Sequence, residues 1–421
     1  VNKRLSTPNR VLLLLSVMYF LTYIDRVNIG TAANQIKGEF HLSNSDLGWI
    51  FSAFAYPYAL FQVFGGWVGD KFGPRKVLVV CGTIWAGSTM LTGLATSMTT
   101  LFLFRLALGF GEGATFPTAS RAMQSWVPTP KRAFAQGLTH SFSRLGNAVA
   151  PPIVAALTVI YGWRGAFVAL GCLSLVWVIV WFWYFRDNPR DHRGVTEADL
   201  ALLPPHIAKE TMAKRRIPWR RLVLRMAPVT LTYFCYGWSL WLYLNWLPSF
   251  FLQGYGLDIK QSALFSAGAF FAGVVGDTLG GLVSDRILRR TGNVQLARLS
   301  VILFGMVGGA VCLSLVFLTK DLDTIALLVS AGFFFLELIV GPIWSIPMDI
   351  APQYVGTATG LMNIGSATAA IVSPLAFGYI VDLTGNWVLP FAGSIGMLLV
   401  GMVLCFTMRP DRPFMAEPAP A

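Results

Sequence analysis

The sequence predicts an all-α membrane protein with about twelve transmembrane helices in two six-helix bundles, on three observations. Of the 421 residues, 55% are hydrophobic and only 12% charged, about half the charge of a soluble domain. Apolar stretches of membrane-crossing length follow one another with short polar joins. A single long polar segment, 186–225, rich in Pro and charge, divides those stretches six and six.

About 20 apolar residues cross a hydrocarbon layer of roughly 30 Å. That length places spans near 11–35, 47–69, 76–96, 99–122, 136–160, 163–185, 226–253, 261–284, 296–318, 323–347, 354–382 and 386–408. The first, behind Lys3, Arg4 and Arg10, has the charged flank of a signal peptide. No small-residue cleavage site follows, so it is read as the first helix. The expected domains are a six-helix bundle over 1–185, a cytoplasmic central loop over 186–225, and a second six-helix bundle with a short tail over 226–421.

The net charge of +12 invites a nucleic-acid reading, but its distribution excludes one. Alternate joins on one side hold 25 Lys and Arg, and the opposite joins hold four (Lys37, Arg164, Lys260 and Lys320). By the positive-inside rule both termini and the central loop are expected in the cytoplasm. The cysteines (Cys81, Cys172, Cys235, Cys312, Cys405) are scattered without metal-ligand spacing. The histidines (His41, His140, His192, His206) do not cluster. With no nucleotide loop and no nucleophile beside a base, neither an enzyme, a metal nor a cofactor is expected.

An internal repeat relates the halves. Gly65-Gly66-Trp67-Val68-Gly69-Asp70-Lys71 recurs as Gly280-Gly281-Leu282-Val283-Ser284-Asp285-Arg286, an offset of 215. Gly137-Leu138 with Pro151 recurs as Gly360-Leu361 with Pro374, an offset of 223. Two similar bundles can rock about a site at their interface, so alternating access is the natural expectation, against a rigid channel or scaffold. The run from Gly65 to Lys76 resembles the major facilitator signature between helices 2 and 3, and Asp285 to Arg290 is a partial copy. That resemblance implies gating roles for Asp70, Lys71, Arg75, Asp285 and Arg286 rather than contact with a solute.

Ionisable residues at membrane depth are costly, about 2.5–3.5 kcal/mol on insertion scales, and normally face the bundle interior. Seven are predicted there: Asp25, Arg26, Arg105, Glu112, Arg144, Asp277 and Glu337. Tyr19, Tyr23 and Arg26 fall at i, i+4 and i+7 on one helix face, with Asp25 about 100° away. Arg105 and Glu112 share a face about 10 Å apart, and Gly109 is expected to clear space between them. Asp25 is the expected partner of Arg105. The planar fork of Arg26 suits an anionic substrate, and Glu112 is the candidate proton carrier. The bland alternative makes all four purely structural ion pairs. Arg144, beside Ser143 and His140, lines the cavity or snorkels, while Asp277 and Glu337 are either second protonation sites or interhelical hydrogen-bonding groups.

Over nearly its whole length the chain resembles the anion:cation symporter family of the major facilitator superfamily, which imports sugar acids such as galactonate, glucarate and hexuronates. The motifs are Tyr23-Ile24-Asp25-Arg26, Phe51 to Tyr58 leading to Gln62, Arg105 through Glu112 to Phe116-Pro117, Trp344-Ser345 with Ala351-Pro352, and Gly360 to Asn363. The resemblance implies proton coupling by Asp25 and Glu112 with Arg105 as their partner. It implies sugar-acid binding by Arg26, Tyr23, Tyr58, Trp344 and Asn363. Where the galactonate carrier has a glutamine, this chain has Ser143 followed by Arg144, a change that could admit a more anionic carboxylate. The expected partners are a small organic anion, protons and membrane lipid, with no nucleic acid. The expected form is a monomer in a bacterial inner membrane. Anion exchange, efflux, transport of aromatic or dicarboxylic acids, and a receptor that does not transport are the alternatives.

Overall fold

The structure, a computed structural model, describes residues 5–42, 44–204 and 217–414. Lys3, Arg4, His206 and the middle of the expected central loop lie outside the described residues, as does the side chain of Lys260. Among the described residues every regular element is helical.

Helix α1 (Thr7–Phe40) opens with proline in its first turn, where the missing N–H costs nothing, and stops at His41 in the left-handed region. Next come α2 (Asn44–Ala53) and α3 (Ala55–Phe72), which meet at Phe54. Helix α4 (Pro74–Gly93) is followed by α5 (Met98–Gly113) and α6 (Thr115–Trp126), which meet at Ala114. Ser97 and Thr100 form a reciprocal capping box at the start of α5. Helix α7 (Arg132–Tyr184) runs for 53 residues but turns at Gly162, whose φ of 70° suits glycine, so it makes two crossings.

After the short α8 (Glu197–Leu202) come α9 (Trp219–Ser249), α10 (Ile259–Thr291) and α11 (Val294–Val316). Asp258 and Asn293 cap α10 and α11 by accepting backbone N–H bonds. Helices α12 (Leu322–Glu337) and α13 (Val340–Ile350) form a third broken crossing, followed by α14 (Val355–Thr384) and α15 (Pro390–Cys405). With each broken pair counted once, α7 twice and the short α8 left out, the helices among the described residues make twelve crossings, as the apolar stretches predict.

The chain forms two compact units. The first comprises Val1–Thr129, Leu145–Arg216 and Gln353–Gly360, and the second Pro130–Arg144, Ile217–Pro352 and Leu361–Ala421. Each unit carries its own copy of one repeat contact. A methyl group on Gly360 would fall 2.3 Å from the carbonyl oxygen of Gln62, and one on Gly137 would fall 2.1 Å from that of Asp277. Gly137 and Gly360 are 223 positions apart, and Gln62 and Asp277 are 215 apart. The two sequence offsets therefore describe one helix–helix contact made twice, and in each copy glycine is what lets the backbones meet.

Candidate functional site

In the first unit, α1 presents Arg26 to Glu112 of α5, with Nε to Oε2 at 2.5 Å; the arginine side chain is 11% exposed and the glutamate fully buried. Four rings surround the guanidinium: Tyr23 at 4.7 Å, Phe54 at 5.1 Å, Tyr58 at 4.6 Å and Phe116 at 5.0 Å. Ring faces attract cations most strongly where water is excluded. The i, i+4, i+7 spacing puts Tyr19 and Tyr23 against Phe116, with ring centroids 4.5 and 6.2 Å from it.

The expected pairing of Asp25 with Arg105 is not the one the structure holds. Asp25, buried on the adjoining face of α1, accepts a hydrogen bond from the Ser174 hydroxyl at 2.7 Å. Arg105 lies over the Phe54 ring at 5.3 Å, with its Nε and Nη1 meeting no hydrogen-bond partner among the described residues. Nor does Gly109 open space between Arg105 and Glu112. A methyl there would fall 2.1 Å from the Phe54 carbonyl oxygen, so the α2–α3 junction fills that gap. The Phe54 ring is consequently shared by both guanidinium groups.

In the second unit Arg144 stands between two fully buried carboxyl groups. Its Nη2 donates to Glu337 Oε2 at 3.1 Å, and its Nε lies 3.8 Å from Asp277 Oδ2. The Tyr236 hydroxyl donates to Glu337 at 3.2 Å. Arg144 is thus held by acids in this state rather than left open to an anion. Ser143 is buried, and its hydroxyl meets no hydrogen-bond partner among the described residues. Trp344 donates from Nε1 to the Tyr233 hydroxyl at 2.8 Å and packs on His140 with centroids 4.5 Å apart. Asn363 is buried on α14.

The gating candidates divide by burial. Asp70 and Asp285 are buried, whereas Lys71 and Arg286 are exposed. Lys71 lies over the Trp67 ring at 4.9 Å. Arg75 donates to the carbonyl of Phe182 at 2.7 Å from Nη2, and its backbone N–H donates to Asp187 at 2.8 Å. Arg121 lies 3.7 Å from Asp70, while Arg298, fully buried, joins Asp285 at 2.9 Å and Asp349 at 3.0 Å. Sequence reasoning counted Arg121 and Arg298 as loop charges, and it missed Ser174, Phe54 and Tyr236. An apolar groove of about 280 Å³ on the first unit, lined by Phe61, Phe64, Val77 and Phe110, contains none of these ion pairs.

Paired helical bundles with arginine–carboxylate contacts inside apolar crossings define a polytopic membrane carrier of small solutes. The chain belongs to the Major Facilitator Superfamily, whose family model matches residues 15–374. It is 48% identical to the probable sulfoacetate transporter SauU of Cupriavidus necator, over 97% of this chain and 96% of that one. It is 30% identical to the hexuronate transporter of Bacillus subtilis, over 97% and 96%. Among solved structures, the proton:xylose symporter XylE bound to 6-bromo-6-deoxy-D-glucose aligns with a TM-score of 0.76 at 14% identity, covering 95% of each chain; this likeness concerns the fold alone.

Proposed function

We propose that the protein is a proton-coupled symporter that imports a small organic anion by alternating access. In this reading both termini lie in the cytoplasm, 1–185 and 226–421 are the moving halves, and 186–225 links them. The observation that carries the coupling is the Arg26–Glu112 pair, 2.5 Å apart and walled by four rings. Without solute the Arg26 Nε is taken by Glu112, in a space closed by four rings. An incoming anion that takes Arg26 displaces Glu112, and a displaced buried glutamate is stabilised by taking up a proton. Anion and proton then load together. Asp25, close to the same cluster, is the second carboxyl to titrate.

For the solute, the 48% identity to a sulfoacetate transporter supports a compact organic acid with two anionic groups. Arg26 and Arg105 on one Phe54 ring are two cations for such a molecule, and Arg105 has unmet N–H donors. Tyr23 and Tyr58 form the walls, and Trp344 and Asn363 are the contacts proposed from the second half. Asp70 and Asp285 hold helix ends in one state of the cycle, with Lys71, Arg75 and Arg286 beside them.

The test is uptake of labelled sulfoacetate, glucuronate and galactonate into proteoliposomes. Glu112→Gln should abolish accumulation driven by a pH gradient and spare counterflow. Unchanged gradient-driven accumulation in Glu112→Gln would remove Glu112 from the coupling.

A further inference from the structure

The membrane-buried ionisable groups do not balance equally in the two units. In the first, Arg26 and Arg105 accompany Asp25 and Glu112, two cations with two acids. In the second, Arg144 alone faces Asp277 and Glu337, and both acids have no exposed surface. An uncompensated charge in such a place is strongly destabilising. Asp277 also has no donor: neither of its oxygens has a hydrogen-bond partner among the described residues, and its arginine neighbour is too distant at 3.8 Å to donate well. The Glu337 carboxyl stands beside it on the same guanidinium, 3.1 Å from Arg144, and a methyl on Gly276, the residue before Asp277, would fall 3.1 Å from the Glu337 Cβ. Two carboxylate anions repel at that range, whereas a carboxylic acid and a carboxylate form a short, strong bond.

We propose that Asp277 and Glu337 share one proton, making the Arg144 cluster a second proton-binding site of the carrier. Its part in transport rests on the proton-coupled reading above; its existence does not. The groups that face it come from four helices. Arg144 and His140 come from α7, Tyr233 and Tyr236 from α9, Asp277 from α10 and Glu337 from α12. His140 Nδ1 is held 2.8 Å from the Gln136 carbonyl oxygen, and Tyr236 is committed to Glu337. The α13 acid, Asp349, and the α11 base, Arg298, are paired with each other elsewhere.

The repeat explains why the second site differs from the first. Gln62 occupies the position 215 before Asp277, so the equivalent place in the first unit is neutral. Each half also breaks its fourth crossing just after a glutamate. Gly65 abuts Ala114, two residues past Glu112, and Gly280 abuts Leu338, the residue after Glu337. An arginine–glutamate pair beside a helix break is thus built twice, with an extra acid added in one copy. Loss of the shared proton to water leaves two carboxylates competing for Arg144, which pulls on the start of α7. Uptake of a proton releases that pull.

The experiment is pH-titrated infrared difference spectroscopy of the protein in lipid nanodiscs without solute, reading the carbonyl stretch of protonated carboxyl groups. The wild type should show a protonated-carboxyl band at neutral pH. Asp277→Asn and Glu337→Gln should each remove it, because one remaining acid pairs ionised with Arg144. A band of unchanged intensity in both variants overturns the proposal. Thermal melting of each variant checks folding, and either variant alone suffices for the reading. Glu112→Gln should keep the band, so failure of gradient coupling at Glu112 and absence of this proton are separate results. In proteoliposomes the folded Asp277→Asn protein should move one proton fewer per labelled sulfoacetate than the wild type.

Discussion

Asp70 Oδ2 accepts the backbone N–H of Thr357 at 2.8 Å, and Oδ1 accepts that of Gly356 at 2.9 Å, so an aspartate at the end of α3 caps the start of α14. The repeat reproduces the arrangement. Asp285, at the equivalent point of α10, accepts the N–H of Phe134 at 2.7 Å and of Ala133 at 3.3 Å, at the start of α7. A carboxylate there meets both the unpaired N–H groups and the positive end of the helix dipole.

Asp70→Asn and Asp285→Asn should each lower stability by about 1–2 kcal/mol. The amide keeps the shape but loses the charge, and in each case it leaves an arginine behind, Arg121 or Arg298. Thermal melting in detergent reads the loss. Shifts of the same sign are expected because each carboxylate accepts two backbone N–H groups at a helix start, and an unshifted melting point in both would show that the caps carry no stability.

The ring of Phe54 touches two guanidinium groups, so its π-face, not its bulk, should matter. Phe54→Leu keeps most of the volume. It should raise the half-saturation concentration for the transported anion about five- to tenfold, as expected for cation–ring contacts of about 1 kcal/mol or slightly more. Initial uptake rates against concentration measure it, and an unchanged value would show that the ring is mere packing.

Gly109→Ala forces a methyl into the Phe54 carbonyl oxygen at 2.1 Å, and backbone cannot swing aside as a side chain can. Overpacking of this kind costs about 1–3 kcal/mol. Lower melting temperature and weaker transport should appear together, because the displaced junction also carries the ring shared by Arg26 and Arg105. A variant that melts and transports like the wild type would contradict the tight α2–α5 contact.

At the end of α1, Glu39 accepts bonds from Arg164 at 2.6 Å and Trp163 at 2.7 Å. The Arg164 bond foremost, then that of Trp163, holds its carboxyl below the usual range. A group depressed by folding adds stability that is fully present above its unfolded value of about 4.3. That stability is lost as pH falls through the lower folded value. Wild type and Glu39→Gln should therefore differ by a small, constant melting shift at neutral pH and converge in acid. The shift is small because the pair is well exposed to solvent.

The architecture was legible in the sequence because membrane crossing demands long apolar runs, and because the offsets of 215 and 223 are properties of the chain itself. Those offsets reappear as the Gln62–Gly360 and Asp277–Gly137 contacts. The membrane-depth charges were legible for the same reason, since an ionised side chain stands out against hydrocarbon. Their partners were not. Ser174 is one small hydroxyl among many, and nothing in its neighbourhood marks it as the donor to Asp25. Spacing along one helix suggested Asp25 for Arg105, but the partners are set by packing between helices, where Glu112 reaches Arg26. Arg298 looked like a loop charge because it lies beside other basic residues, yet it is fully buried by two aspartates.

The interleaving of the two compact units has a consequence for biosynthesis. Gln353–Gly360 belong to the first unit, so a nascent chain that has reached only its central segment still lacks a piece of that unit. Until α14 leaves the ribosome, the carboxylate of Asp70 has not met the backbone groups of Gly356 and Thr357. Early helices inserted by the translocon therefore gain the cap between α3 and α14 only after most of the remaining chain has been synthesised.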